Sequence, residues 1–177
     1  MWWTRGVDVA ELLLELYARI PPLARDAVDG LDLETLMTPP APGVNTIAWL
    51  VWHAARVQDD HVADLLDATQ VWIDDDWAPR FGLDPDPSNT GYGHSVHDIA
   101  TVRPERADVL IEYQDAVDRR TRALLGRLTD EELDRVVDRR WDPPVTLGVR
   151  LVSIADDSLQ HLGQAAYLRG LLTSRHT

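Results

Sequence analysis

Between two strongly helical stretches of this chain lie some 35 residues, Thr69 to Arg103, crowded with Pro, Gly, Asp and Asn. That composition interrupts helices, and a connection of that length changes how the flanking helices can run. Short turns force consecutive helices to be antiparallel, whereas a long crossover lets two neighbours run parallel. A loop this long without structure of its own is uncommon unless it is functional. The expectation is an all-α chain, an up-down-down-up four-helix bundle. Its long crossover between helices 2 and 3, with a turn of helix near Ser95 to Ala100, helps roof one end.

Four long segments carry the helical period. The first runs from Val7 to Val28 with Leu12, Leu13, Leu16 and Ile20 inward, broken or kinked at Pro21 and Pro22. The second is capped by Asn45 or Thr46 and continues to about Ala68. The third starts at Pro104, with Leu110, Tyr113, Val117, Thr121, Leu124 and Leu128 on one stripe. The fourth runs from about Leu147 to Leu172. A short helix over Thr129 to Val137 is also predicted, because "TDEEL" opens with a capping-box pattern.

The chain has 177 residues and 45% hydrophobic content, enough for the core of one domain over residues 1–177. A net charge of −13, with 17 scattered basic residues, argues against nucleic acid or an anionic membrane as partner. No uninterrupted run reaches the ~18 apolar residues of a membrane span. Asp8, Glu11 and Glu15 interrupt the N-terminal stretch where a signal peptide would be apolar. There is no cysteine, which excludes thiolate ligands and a cysteine nucleophile and agrees with a reducing, cytoplasmic location.

Chemistry enters at "DDSLQHLGQAAYLRG", Asp156 to Gly170, inside the last helical segment. Asp157 stands four residues before His161, a spacing that stacks both side chains on one helical face. In the second segment His53 and His61 are eight residues apart, about 12 Å along a helix, so at most one of them can join His161. His53 has the more enclosed surroundings, after Trp49 and Trp52 and between Leu50 and Val57 on its own face; His61 lies beside Asp59 and Asp60. Two readings stand side by side. In one, His53, Asp157 and His161 meet in the bundle and hold a divalent metal, as inward ligands on facing helices do. Two imidazoles and a carboxylate suit zinc, and also iron or nickel, and three protein ligands leave positions for water or substrate. In the other, Asp157 and His161 form a surface pair and His53 is a satisfied core histidine.

Other features carry less. Gln164 can orient a bound water or make a core hydrogen bond. In "TGYGHS" His94 can reach over the site as a proton carrier or simply hold the loop. Trp2, Trp3, Trp72 and Trp77 read as packing or a dimer surface. "PDPSNTGYG" lacks the strand and lysine of a phosphate loop.

Taken together, "NTIAWLVWHAARVQDDHVADL", "TGYGHS" and "SLQHLGQAAYLRG" resemble the DinB-like superfamily. The branch is the actinobacterial one similar to the metal-binding domain of mycothiol-dependent maleylpyruvate isomerase. The resemblance extends over nearly the whole chain. It implies an up-down-down-up bundle in which His53, Asp157 and His161 hold a divalent metal. The departure is Asp157, where relatives commonly have histidine or, in the maleylpyruvate isomerase type, glutamate. An ion of this kind can generate hydroxide from water or hold an external thiol as thiolate. Since the chain has no thiol of its own, the resemblance implies a transferase or isomerase using mycothiol or another small thiol on an electrophilic substrate. A homodimer is also implied. The alternative is a noncatalytic bundle used for ligand or metal binding, or for dimerisation.

Overall fold

In the computed structural model, which describes residues 8–174, the elements that reach the candidate site are two long helices, a looped connection and a small hairpin. The first helical segment is divided into α1 (Val9–Tyr17) and α2 (Ile20–Val28). The break falls a turn before the two prolines, which then occupy the first turn of α2, where no amide partner is needed. The inward stripe is Leu13, Tyr17, Ile20 and Ala24. Leu12, expected inside, is 60% exposed because it falls off that stripe. A short α3 (Leu33–Met37) follows, capped by Asp32.

The next helix, α4 (Ile47–Leu66), begins at Thr46, whose hydroxyl accepts the Trp49 amide; of the two candidate caps, Thr46 is the one used. The helix ends at Asp67, in the left-handed region. It is buried nearly all round, consistent with its weak polar face. The 69–103 connection is not bare loop. It contains α5 (Val71–Asp74), a 3₁₀ turn over Ala78–Phe81, and α6 (Val96–Ile99) capped by Ser95.

The following helix, α7 (Asp108–Leu125), starts four residues later than the proline rule suggests. The amides of Arg103 and Glu105 are taken by the Phe81 and Arg80 carbonyls, which keeps the backbone around Pro104 out of the helix. The predicted short helix is likewise corrected. The Thr129/Glu132 capping box forms, but it opens only a 3₁₀ turn (Asp130–Asp134). The β-branched Val136 and Val137 then enter β1 (Val136–Asp138), antiparallel to β2 (Val145–Thr146). The last helix is α8 (Leu147–Ser174).

The long helices pack in a ring: α4 lies against α7 and α8, and α2 lies against the same two. Tyr17 donates to the Leu151 carbonyl at 2.7 Å, and Arg169 donates to the Ala27 carbonyl at 3.5 Å, so α1–α2 and α8 advance together. His61 meets Arg150 while His53 meets His161, so α4 and α8 run in opposite senses.

The strongest tie between α4 and the long connection is a buried ion pair. Arg56 is fully buried, and its guanidinium donates to the carbonyls of Asn89 (3.1 Å) and Pro87 (2.9 Å) and to Gln70 Oε1 (2.9 Å). It also reaches the Tyr113 hydroxyl (3.2 Å) and Asp59 Oδ2 (3.4 Å), and it lies over the Trp72 ring. Asp59 in turn accepts the amides of Val71 and Trp72 and the Tyr113 hydroxyl, at 2.8 to 2.9 Å. Charges this deep are tolerated only when their hydrogen-bonding capacity is met. Trp72 and Trp77, read from sequence as packing or a dimer surface, are buried in this core; Trp2 and Trp3 lie outside the described residues. Removing one partner of a buried ion pair typically costs about 3–5 kcal/mol. Arg56→Met should therefore lower stability by about 3 kcal/mol in urea unfolding and speed amide exchange over residues 87–91. A loss below about 1 kcal/mol would show that the connection is held by something else.

Candidate metal centre

Each candidate ligand is placed by local geometry. On α8, the i, i+4 spacing brings His161 Nε2 to 3.5 Å from Asp157 Oδ1. On α4, His53 faces the same point, and one donor atom from each of His53, Asp157 and His161 lies within 4.8 Å of the others. The His53 and His161 rings meet edge to face, with centroids 4.7 Å apart. Of the two α4 histidines, His53 is thus the one that joins α8's pair.

The imidazoles are oriented from behind. The Thr90 carbonyl lies 2.5 Å from His53 Nδ1, which makes Nδ1 the protonated nitrogen and leaves the Nε2 lone pair free. Trp49 stacks flat on the same ring, with centroids 4.5 Å apart at 15°. His161 Nδ1 faces Gln164 Oε1 at 3.3 Å, which again leaves Nε2 toward Asp157. Gln164 is exposed, so its contact with His161 is not a core hydrogen bond; it steadies that ring from the outside. The remaining carboxylate oxygen, Asp157 Oδ2, is buried and has no hydrogen-bond partner. A buried anionic oxygen without a donor is costly, and it is what a cation would satisfy.

Electrostatics separates the histidines. Burial holds His53 below the usual imidazole range, against the pull of the Thr90 carbonyl, and His161 adds to the lowering. His161 is raised, chiefly by its contact with Asp157 and in opposition to burial. His94 is lowered by burial. Its two nitrogens are both committed: Nδ1 accepts the Trp49 indole N–H at 3.1 Å, and Nε2 faces Asn89 Oδ1 at 2.9 Å. Of its two sequence readings, then, the loop-holding one matches this geometry. His97 is exposed, and His176 lies outside the described residues.

Gly91 explains why the connection can approach so closely. Its φ of +92° lies in the region that favours glycine. A Cβ there would stand 2.8 Å from His53 Nδ1 and 2.9 Å from the Trp52 ring. In "TGYGHS", Thr90 supplies the carbonyl, Gly91 the clearance and His94 the brace on Trp49.

A cavity of about 580 Å³ opens beside the centre, within the usual size of small-molecule sites. His53, Val57, Asp60 and His61 of α4 form one wall, and Arg150 and Asp157 of α8 another. Thr90 and Tyr92 come from the long connection, and Asp138, Arg140 and Trp141 from the hairpin. Tyr92 and Trp141 are 93% and 66% exposed, two aromatic faces on its rim. At the end of the cavity away from the histidine pair, Asp138 accepts from Arg140 and from Arg150, the latter at 2.9 Å. Arg140 first, and Arg150 after it, hold its carboxyl well below the ordinary range. Sequence reasoning misses this cluster, because the helix it predicts over Thr129 to Val137 takes in the valines of the first strand and leaves no hairpin to carry Asp138 and Arg140. The two valines before Asp138 were the available signal.

The sequence model of the mycothiol-S-transferase family matches residues 22–174. The chain therefore belongs to that family, within the DinB-like superfamily. Among solved structures it is similar to a conserved protein from Enterococcus faecalis, with 31% identity and a TM-score of 0.88. The match covers 96% of this chain and 99% of that one. No curated protein matches the chain significantly. Among the described residues no helix is long and apolar enough to cross a membrane.

Two outcomes follow for metal-free protein. In an NMR titration His161 should lose its proton above about pH 6.5 and His53 below it, and Asp157→Asn should move the His161 midpoint down. Stability contributed by the His161–Asp157 contact should then be full below that pH and fade as pH rises through the raised His161 value. Gly91→Ala should cost about 1–3 kcal/mol, since the connection must back away from His53. It should also erase the hydrogen-bonded His53 Nδ1–H resonance. Persistence of that resonance would show that the clearance is not needed.

Proposed function

We propose that this chain is a metal-dependent S-transferase that joins a low-molecular-weight thiol, mycothiol or a close analogue, to an electrophilic small molecule. Its helices are read as one up-down-down-up four-helix bundle spanning the chain, with residues 69–103 as the crossover between the second and third. The observation that carries the metal assignment is the unpartnered, buried Asp157 Oδ2 beside two imidazoles whose Nδ1 atoms are both engaged elsewhere. The donor set of two neutral imidazoles and one carboxylate fits zinc, and iron or nickel by the same chemistry. His53, Asp157 and His161 would hold the ion, whose Lewis acidity favours the thiolate form of an incoming thiol at neutral pH.

The protein's own groups do the rest. The Thr90 carbonyl and Gln164 fix the two imidazoles, and Trp49 shields His53 from solvent. Asp157 contributes the anionic ligand with a shorter reach than the glutamate of the maleylpyruvate isomerase type. The cavity's second wall leaves room for an electrophile beside the thiol. With no cysteine in the chain, the sulfur must arrive on a cosubstrate. Membership of the mycothiol-S-transferase family supports both the thiol class and a cytoplasmic location, where small-thiol pools are kept reduced. The competing reading, a noncatalytic bundle that binds a ligand or metal in the same cavity, shares this geometry and is separated from the transferase by turnover.

The test is elemental analysis of untagged protein after incubation with zinc, nickel or iron and desalting, followed by a thiol-addition assay. The wild type should retain about one equivalent, while His53→Ala and His161→Ala should each lose it and remain folded. Mycothiol-dependent turnover should follow the bound metal. A metal-free wild type, or a loaded one without turnover, would leave the noncatalytic reading standing.

A further inference from the structure

Away from the metal centre the cavity ends in a wall whose charges balance: Asp60 of α4, Arg150 of α8, and Asp138 and Arg140 of the hairpin. Two carboxylates set against two guanidiniums give an ion of either sign no net field to follow. Asp138 is saturated. Its Oδ1 accepts the Arg140 amide at 2.9 Å and Arg140 Nε at 3.0 Å, and its Oδ2 accepts Nη2 of both arginines at 2.9 Å. That uses the four acceptor positions of a carboxylate. Nη1 of each arginine lies outside these bonds. On Arg150 it passes the His61 ring at 3.3 Å from both nitrogens, so it meets neither lone pair head on. Asp60 gives Oδ1 to Gln70 at 2.7 Å, while its Oδ2, 3.9 Å from His61, is beyond hydrogen-bond reach of that ring. Donors and acceptors therefore stand side by side on this wall.

The same end carries the two exposed rings of the cavity, Tyr92 and Trp141. Tyr92 stands between Gly91 and Gly93, with φ of +92° and +76°, so the chain turns sharply on both sides of it. Trp141 follows Arg140, whose amide and side chain are both tied to Asp138, so the hairpin turn that carries the ring is held in place. Large apolar rings left open beside a cavity offer stacking area to whatever enters it. A wall of mixed donors and acceptors, neutral overall and flanked by aromatic faces, suits hydroxyl groups, because each hydroxyl both donates and accepts. Either sign of charged ligand would meet a like charge here.

We propose that the hairpin end of the cavity is a subsite for a neutral, hydroxyl-rich group, the sugar or polyol portion of the thiol cosubstrate, with Trp141 and Tyr92 as its stacking surfaces. The assignment rests on the small-thiol reading above. The dimensions of the cavity favour the thiol's tail as the occupant. His61, at this end, lies about 12 Å along α4 from His53, at the other. A single residue spans about 3.5 Å, so a cysteine with its sulfur at the metal centre stops well short of the hairpin. A cysteine carried on sugar rings is long enough to reach it. The metal end thus takes the sulfur, and the hairpin decides which thiol brings it. Trp141, Tyr92 and Arg140 are specificity residues and take no part in bond making.

The experiment compares metal-loaded wild type with Trp141→Ala and Arg140→Gln, two exposed positions whose variants should keep the wild-type circular dichroism. Each is given mycothiol and N-acetylcysteine, which bears the same thiol without the rings. Binding is read by titration calorimetry, and addition to an α,β-unsaturated ketone by the fall in its absorbance. The wild type should prefer mycothiol about 10²-fold in kcat/KM. Trp141→Ala should narrow that preference about tenfold, through KM for mycothiol and not through kcat. Arg140→Gln should narrow it about threefold. A merely structural role would lower both thiols together and leave their ratio unchanged. An active wild type that does not prefer mycothiol, or a ratio unmoved by Trp141→Ala, would overturn the subsite and leave the transferase reading intact. Mycothiol binding that depends on Trp141 but yields no turnover would overturn the transferase reading and uphold the subsite. A metal-loaded wild type that binds no mycothiol would overturn both.

Discussion

The buried Arg56–Asp59 pair is the constraint from which the rest of the site follows. These two residues, one turn apart on α4, spend their hydrogen-bonding capacity on the long connection. Arg56 takes the carbonyls of Pro87 and Asn89, and Asp59 takes the amides that open α5. A stretch rich in proline, glycine and aspartate has little apolar surface with which to hold itself down. Charge-assisted hydrogen bonds in a low-dielectric interior supply the missing attachment. Because Asn89 is pinned, Thr90 and Gly91 are delivered to His53, and the Thr90 carbonyl selects the tautomer that leaves Nε2 available.

The cavity is asymmetric in the same way. At one end, α4 and α8 converge on two imidazoles and a carboxylate; at the other, the hairpin brings Asp138 and Arg140 against Arg150 and His61. The first end has an anionic oxygen with no donor, and the second has charges that largely satisfy one another. Both are reached from the same opening, between the exposed rings of Tyr92 and Trp141.

Much of the helical framework could be read from periodicity, and the errors fall where distant backbone intervened. Pro104 looks like a first helical residue, yet the Arg80 and Phe81 carbonyls capture the amides on either side of it. Thr129 and Glu132 form their capping box, yet two valines turn the next residues into a strand paired with Val145 and Thr146. Leu12 carries the right chemistry for a core and the wrong angle for this one. Asp59 stands in the sequence only as an acidic neighbour of His61, because nothing local says that amides twelve and thirteen residues later will need it.

By itself the sequence determined what depends on short-range geometry and on composition. Asp157 and His161 share a helix face because 3.6 residues make a turn, and the sulfur of any thiol chemistry must come from outside because the chain has no cysteine. It also narrowed the third candidate to His53 or His61, since one ion cannot span eight residues of helix. Tertiary structure decided the remainder. The axial offset between α4 and α8 places His53 opposite His161 and His61 opposite Arg150. That offset is set by the packing of two whole helix faces, a sum of many small contacts that no local pattern encodes.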